Sequence, residues 1–151
     1  MNDNMTTATH MFDHSKKLAE AYEKVMQPLC KKLDMAKTAL DVLMFLANNP
    51  EFNTAGDVCR YRNIKAALVS FHVEKLVEAG FVERQAVKGD RRKCRLVCTE
   101  KAQPVIKEGR ELQKKFAQKL IAGFSDDDMA HFKKCLHIVS DNIDSILKEC
   151  L

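Results

Sequence analysis

A mainly α-helical fold, broken once by a two-stranded β-ribbon, is what the sequence predicts, and three observations lead there. Glycine and proline, the residues that interrupt helices, number only 5 and 3 in 151 residues. Apolar residues recur at three- and four-residue steps through most of the chain, the spacing of one helix face. Only between Phe81 and Cys98 does the pattern change to alternation, around a Lys88-Gly89-Asp90 turn. A hydrophobic share of 46% with 30% charged residues fits a globular chain and excludes a disordered one. No apolar run reaches the roughly 18 residues of a bilayer span, and the polar start MNDNMTTATHMFDH is unlike a secretion signal. A cytoplasmic protein with no membrane partner is expected.

Each element has its own signal. Leu18, Tyr22, Val25, Leu29 and Leu33 form one stripe on a first helix over 11–33, in which Pro28 should introduce a kink or end regular hydrogen bonding. Asp34 offers an N-cap to a second helix carrying Leu40, Leu43, Met44 and Leu46, closed at Asn48-Asn49-Pro50. Thr54 caps a short third helix, and Arg62-Asn63 breaks it from a fourth that ends at Gly80. Val69, Val73 and Leu76 turn that fourth helix towards a core. Two strands follow, Phe81–Val87 and Lys93–Cys98. Thr99 is expected to cap a long helix to about Gly123, with Pro104 deleting one hydrogen bond in its first turn, and Ser125-Asp126-Asp127-Asp128 opens the last helix. There Met129, Phe132, Leu136, Val139, Ile143, Ile146 and Cys150 alternate three- and four-residue steps, an unbroken heptad seam. Seams at both ends point to pairing with a second copy.

Charge is concentrated. The formal net charge is +4, yet the stretch from Arg84 to Arg95 alone holds six cations (Arg84, Lys88, Arg91, Arg92, Lys93, Arg95) against Asp90, a local +5. Such a block suits a phosphate-facing element. The six cysteines include no CxxC pair and fall mostly within apolar patterns, so they read as reduced thiols that pack like small hydrophobes. Cys94 and Cys98 lie roughly 13 Å apart on one strand, out of disulfide reach.

Helix, tight turn, helix and a ribbon with a basic tip is the order of a winged helix-turn-helix, giving the full prediction α-α-α-α-β-β-α-α. Its parts would be an N-terminal dimerisation helix at 1–33, a winged lobe at 34–100 and C-terminal dimerisation helices at 101–151. The second helix of the pair would enter a DNA major groove while the ribbon reaches a minor groove or backbone. Lys65, Ala67, Ser70, Phe71 and His72 lie along the face expected to meet DNA.

Two stretches carry a family resemblance. Gly89-Asp-Arg-Arg-Lys-Cys-Arg-Leu-Val-Cys-Thr-Glu-Lys-Ala102 looks like a wing pattern Asp-x-Arg followed by an alternating strand ending in Leu-Thr, and Ser70-x-x-Val73-x-x-Leu76-x-x-x-Gly80-x-x-x-Arg84 precedes it. With helix order and length, these resemble the MarR family of bacterial transcription regulators. The resemblance implies a homodimer that binds a pseudo-palindromic double-stranded operator as a repressor and is released by a small aromatic or anionic ligand, with no required cofactor. Arg92 would enter the minor groove, held by Asp90, with Arg84, Lys88, Arg91 and Lys93 around it. Leu18, Tyr22, Val25, Leu29, Phe132, Leu136, Val139, Ile143 and Ile146 would form the dimer interface. Two departures are Cys98 in place of an apolar leucine and Ala36 in place of a helix-capping threonine.

Rival readings remain on the same fold. A redox sensor would use Cys30, flanked by Lys31 and Lys32. A metal sensor would use His10 with His14, or His131 with Cys135 and His137, but each set is short of ligands, so no metal is expected. A winged-helix protein-interaction module would not need a cationic tip. No GxGxxG, GxxxxGK, HExxH or GxSxG motif occurs, and no enzyme is expected.

Overall fold

The computed structural model describes residues 7–87 and 90–149, without the side chains of 7, 8, 87 and 90–93, and these described residues form six α-helices and one antiparallel ribbon. Helix α1 spans Thr7–Lys32 and continues through Pro28 rather than ending there. It stops at Asp34, which takes a left-handed φ of 48°. The Asp34 N–H donates to the Lys31 carbonyl and the Met35 N–H to the Cys30 carbonyl at 2.9 Å, the paired bonds that close a helix at a left-handed residue. Asp34 therefore terminates α1 and does not cap α2 (Lys37–Asn48). Ala36 is the N-cap of α2 and supplies no side-chain bond.

The short α3 (Ala55–Arg62) is fixed at both ends. Thr54 Oγ1 accepts from the Asp57 N–H while the Asp57 carboxylate accepts from the Thr54 N–H, a reciprocal capping box, and Asn63 ends the helix at φ 50°. Helix α4 (Ala66–Glu78) closes at Gly80, φ 75°, by the same two bonds as α1: Gly80 N–H to Val77 and Phe81 N–H to Leu76. Strands β1 (Val82–Val87) and β2 (Asp90–Cys98) pair antiparallel, so β2 starts earlier than the sequence pattern indicates. Ala86 faces Cys94 but Val87 faces Asp90, so Arg91–Lys93 fall in an irregularity of register. The Leu96 N–H donates to the Asn53 carbonyl at 2.7 Å, docking the ribbon on the loop before α3.

Thr99 behaves differently from expectation. It precedes a 3-10 turn at Glu100–Ala102 without capping it, and its hydroxyl donates to the Gly80 carbonyl at 2.6 Å. Helix α5 begins only at Gln103 and ends at Leu120, with Gly123 at φ 91° beyond it. Pro104 thus lies in a first turn, where its missing N–H costs no helical bond.

The chain divides into two compact units between Lys114 and Lys115. In the first, Leu29, Leu40, Leu43, Met44, Val58, Val69 and Leu76 are fully buried, each leucine contributing roughly 1.5–3 kcal/mol. The second contains α6 (Asp126–Glu149), opened by a capping box between Ser125 and Asp128; the hydroxyl and N–H of Ser125 hold the Asp128 carboxyl below the usual carboxylate range. Phe124 meets Phe132 edge to face at 5.5 Å. No residue of α6 is buried.

Candidate nucleic-acid interface

The Asn63 turn is the hinge on which the site depends. A left-handed residue lets the chain reverse between α3 and α4 within three residues, so α4 leaves the turn with its N-terminal N–H groups uncapped by any side chain. Those donors and the exposed Lys65 at the N-cap make an anion-binding end. Along α4, Val69, Val73 and Leu76 point inward, leaving Ala66, Ala67, Leu68, Ser70 and Phe71 exposed. Leu68 is 44% and Phe71 56% exposed, large values for such apolar groups. Leu68 is a member of this face that the motif pattern does not single out; its signal is the one-step offset from Val69, which turns it about 100° off the core direction. Arg60, on α3 and 5.4 Å over the Tyr61 ring, is a second exposed cation of this helix pair with no mark in the sequence pattern.

Two expected DNA contacts are placed otherwise. His72 is 6% exposed and turned inward, since one residue past Phe71 the helix has rotated back towards the core. Among the described residues its ring nitrogens have no hydrogen-bond partner, and burial lowers its pKa, so the ring is neutral. Arg84 is tied to Glu74 of α4 at 2.7 Å, bracing β1 against the helix and holding Glu74 below the usual carboxylate range. Lys75 is likewise engaged with Glu78 at 2.8 Å, and its Nζ lies 6.0 Å over the Phe71 ring.

Because the folded state keeps His72 neutral while the unfolded chain protonates near pH 6.5, acid draws the equilibrium towards unfolding. This contribution is complete above pH 6.5 and is lost as pH falls through the lowered folded value. The urea midpoint of His72→Leu should therefore fall less than that of the native chain between pH 7 and 5; parallel curves would show that the imidazole does not titrate on unfolding.

Phe71 also lines a cleft of about 360 Å³. Its lining includes Phe71, His72 and Lys75 of α4 together with Asp34, Met35 and Phe81. The ring of Phe71 thus belongs both to the outward face of α4 and to the cleft.

The wing is described as backbone: β1 and β2 extend it, Asp90–Lys93 lie in β2, Lys88 falls outside the described residues, and nothing is placed for the side chains of Asp90, Arg91, Arg92 and Lys93. Helix order, the α3–α4 turn and the ribbon are now all in position, and residues 33–93, which hold α2, α3, α4, β1 and the start of β2, match the family model of the MarR family. The likeness of this segment is to the MarR family. The fold is the MarR winged helix throughout. A MarR protein from Peptoclostridium difficile superposes with a TM-score of 0.80 at 18% identity, over 100% of this chain and 97% of that one. A MarR family transcriptional regulator from Listeria monocytogenes, solved with 26mer DNA, gives 0.76 at 18% identity and covers 87% of each chain. An organohalide-sensing transcriptional regulator in its 2,4-dichlorophenol-bound form gives 0.67 at 14% identity, over 93% of this chain and 83% of that one. No curated protein matches.

Within this MarR fold the expected pairing residues divide. Leu29, 1% exposed, belongs to the core of its own unit and is not free to meet a partner. Tyr22 and Val25 are half-buried, and the Tyr22 hydroxyl accepts from Gln113 at 2.7 Å. Leu18 is exposed, as are Met11 and Phe12, which extend its stripe one heptad back. On α6, Phe132, Leu136, Val139, Ile143 and Ile146 are all exposed on one seam; Cys150 lies outside the described residues. Cys30 is half-buried beside a charged cleft of about 400 Å³, and burial raises its thiol pKa, outweighing a backbone hydrogen bond and Lys37, which lower it. That is the reverse of the activation a thiol sensor needs. Among the described residues no group of three or more His, Cys, Asp or Glu is arranged to hold a metal, and no helix is long and apolar enough to cross a membrane.

Proposed function

We propose that this chain is a sequence-specific double-stranded DNA-binding transcription regulator that acts as a homodimer and represses from a pseudo-palindromic operator. The observation that carries the reading is α4 itself: an uncapped N-terminus with Lys65 beside it, and an exposed face of Ala67, Ser70 and Phe71 leading to a ribbon whose tip is rich in arginine. An uncapped helix end attracts phosphate, and a paired molecule presents two such helices about 34 Å apart, one DNA turn. Residues 1–33 and 101–151 would form the scaffold through which two copies pair, with Arg92 entering the minor groove and Asp90 holding it.

A small effector would occupy the cleft behind Phe71. Its lining is mainly apolar and includes the rings of Phe71, His72 and Phe81, and the His72 imidazole has no hydrogen-bond partner among the described residues, so a small aromatic molecule with one polar group is the fitting occupant. Such a ligand would displace Phe71 from the DNA face, and by linkage DNA and effector would weaken each other's binding equally.

The test is a duplex titration at several salt concentrations. Arg92→Ala should weaken binding to every duplex and lower the logarithmic salt slope by about one unit for each phosphate no longer neutralised. An unchanged affinity and slope would remove the wing from the interface.

A further inference from the structure

The exposed face of α4 is poor in the groups that read guanine and adenine. Guanine offers two acceptors that suit an arginine fork, and adenine a donor and an acceptor that suit an Asn or Gln amide. From Ala66 to Glu78 the helix contains no Arg, Asn or Gln. Of its exposed polar residues, Glu74 is held by Arg84 and Lys75 and Glu78 hold each other, leaving Ser70 and, at the N-cap, Lys65. What the face does present is apolar: Ala67, Leu68 and Phe71, the last two 44% and 56% exposed.

We propose that α4 reads DNA through the C5 methyl groups of thymine, with Ala67, Leu68 and Phe71 as the specificity-determining side chains, so that each half-site is thymine-rich where the helix enters. The thymine methyl is the one apolar group on the floor of the major groove, and it projects there only. Covering it removes apolar surface from water on both partners, which gives an exposed leucine and phenylalanine a function on a surface that otherwise selects for polar residues. The exposed Lys65 at the N-cap of α4 suits a phosphate at the edge of a groove and, with the exposed Arg60 on the preceding helix, makes nucleic acid a better occupant than an apolar protein partner. Lys65 is left as the single long donor on the reading helix, enough for one guanine at the edge of the half-site. This inference rests on the DNA-binding reading and adds to it the identity of the bases.

The two stand or fall separately in one experiment. Fragments retained by the full chain from a random duplex pool are sequenced, and the tightest duplex is remade with deoxyuridine for thymine, which removes the methyl alone. Affinity should fall about fourfold for each methyl the helix covers, and only at positions within the half-sites. Replacing such a thymine by 5-methylcytosine should retain more affinity than replacing it by cytosine. In Phe71→Ala and Leu68→Ala the deoxyuridine penalty should shrink at one position each, while the dimer remains intact by light scattering. Retention of thymine-poor sequences, equal affinity for the deoxyuridine duplex, or a change of oligomeric state in Leu68→Ala would each overturn methyl readout while leaving DNA binding in place. If no duplex is retained in dilute salt, the DNA-binding reading falls and methyl readout with it.

Discussion

Leu136→Asp, and independently Ile143→Asp, should convert the protein from dimer to monomer. Both residues lie mid-seam on α6, 56% and 49% exposed in the single chain, with Phe132, Val139 and Ile146 completing the stripe at 42%, 37% and 57%. A helix of 24 residues that buries none of them would lose little by melting, since helix propensity alone holds such a segment only marginally. Three- and four-residue alternation is the spacing that keeps a seam facing a partner helix, and pairing would bury it. A carboxylate introduced there would be buried without a partner, at about 3–5 kcal/mol for an uncompensated charge, and twofold symmetry counts it twice. A change of that size moves dissociation by several powers of ten. Light scattering at micromolar concentration should find half the mass, with the far-ultraviolet helix signal reduced. Ile143→Leu keeps the apolar volume and should remain dimeric. A stable dimer in both aspartate variants would show that the α6 seam is not where two copies meet. Dissociation should also weaken operator binding steeply, because each half-site would then have to be bound alone.

How far the sequence discloses this molecule depends on whether a residue's role is local. Thr54 and Asp57 cap α3 as their spacing indicates, because a capping box closes within one turn. Gly80 ends α4 for the same kind of reason, its left-handed φ being unstrained only in glycine. Asp34 and Thr99 mislead because the same short polar side chains serve several ends. An aspartate before a helix resembles an N-cap, yet here the bond from Met35 to Cys30 spends it on closing α1. Thr99 would cap a helix in isolation, but Gly80, distant in sequence, offers a carbonyl at 2.6 Å. The site divides the same way. Ser70 and Phe71 follow from the 3.6-residue period, whereas His72 stands one step further round, where the period alone leaves the boundary between faces undecided. The engagement of Arg84 with Glu74 joins a strand to a helix and leaves no trace in local pattern. Cys30 looks activated because Lys31 and Lys32 adjoin it in sequence, but on a helix adjacent residues point apart, and burial governs the thiol instead.

Gly109→Leu should be among the strongly damaging single substitutions in the first unit. Gly109 is buried within α5, and its backbone is ordinary helix, so conformational freedom is not the reason for glycine here. Space is. A Cβ at this position would lie 2.5 Å from the Met44 sulfur and 2.9 Å from its terminal methyl, and Met44, on α2, is itself 2% exposed. Alanine at 109 would gain about 1 kcal/mol of helix propensity against glycine. The thioether end is flexible enough to yield to one methyl, so Gly109→Ala should change stability by less than about 1 kcal/mol. Leucine allows no such accommodation: its isobutyl group must occupy the volume of the methionine, forcing α5 away from α2 or Met44 out of its rotamer. Overpacking of this kind costs about 1–3 kcal/mol and more where both sides are closed. The decisive comparison is with Met44→Ala, which alone should cost about 2–5 kcal/mol through the cavity it leaves. Combined, the two substitutions fill and empty the same space, so the double variant should be more stable than the sum of the single losses by at least about 1 kcal/mol in urea unfolding. Strict additivity would mean that Met44 and Gly109 do not share this space, and the packing of α5 on α2 would have to be redrawn.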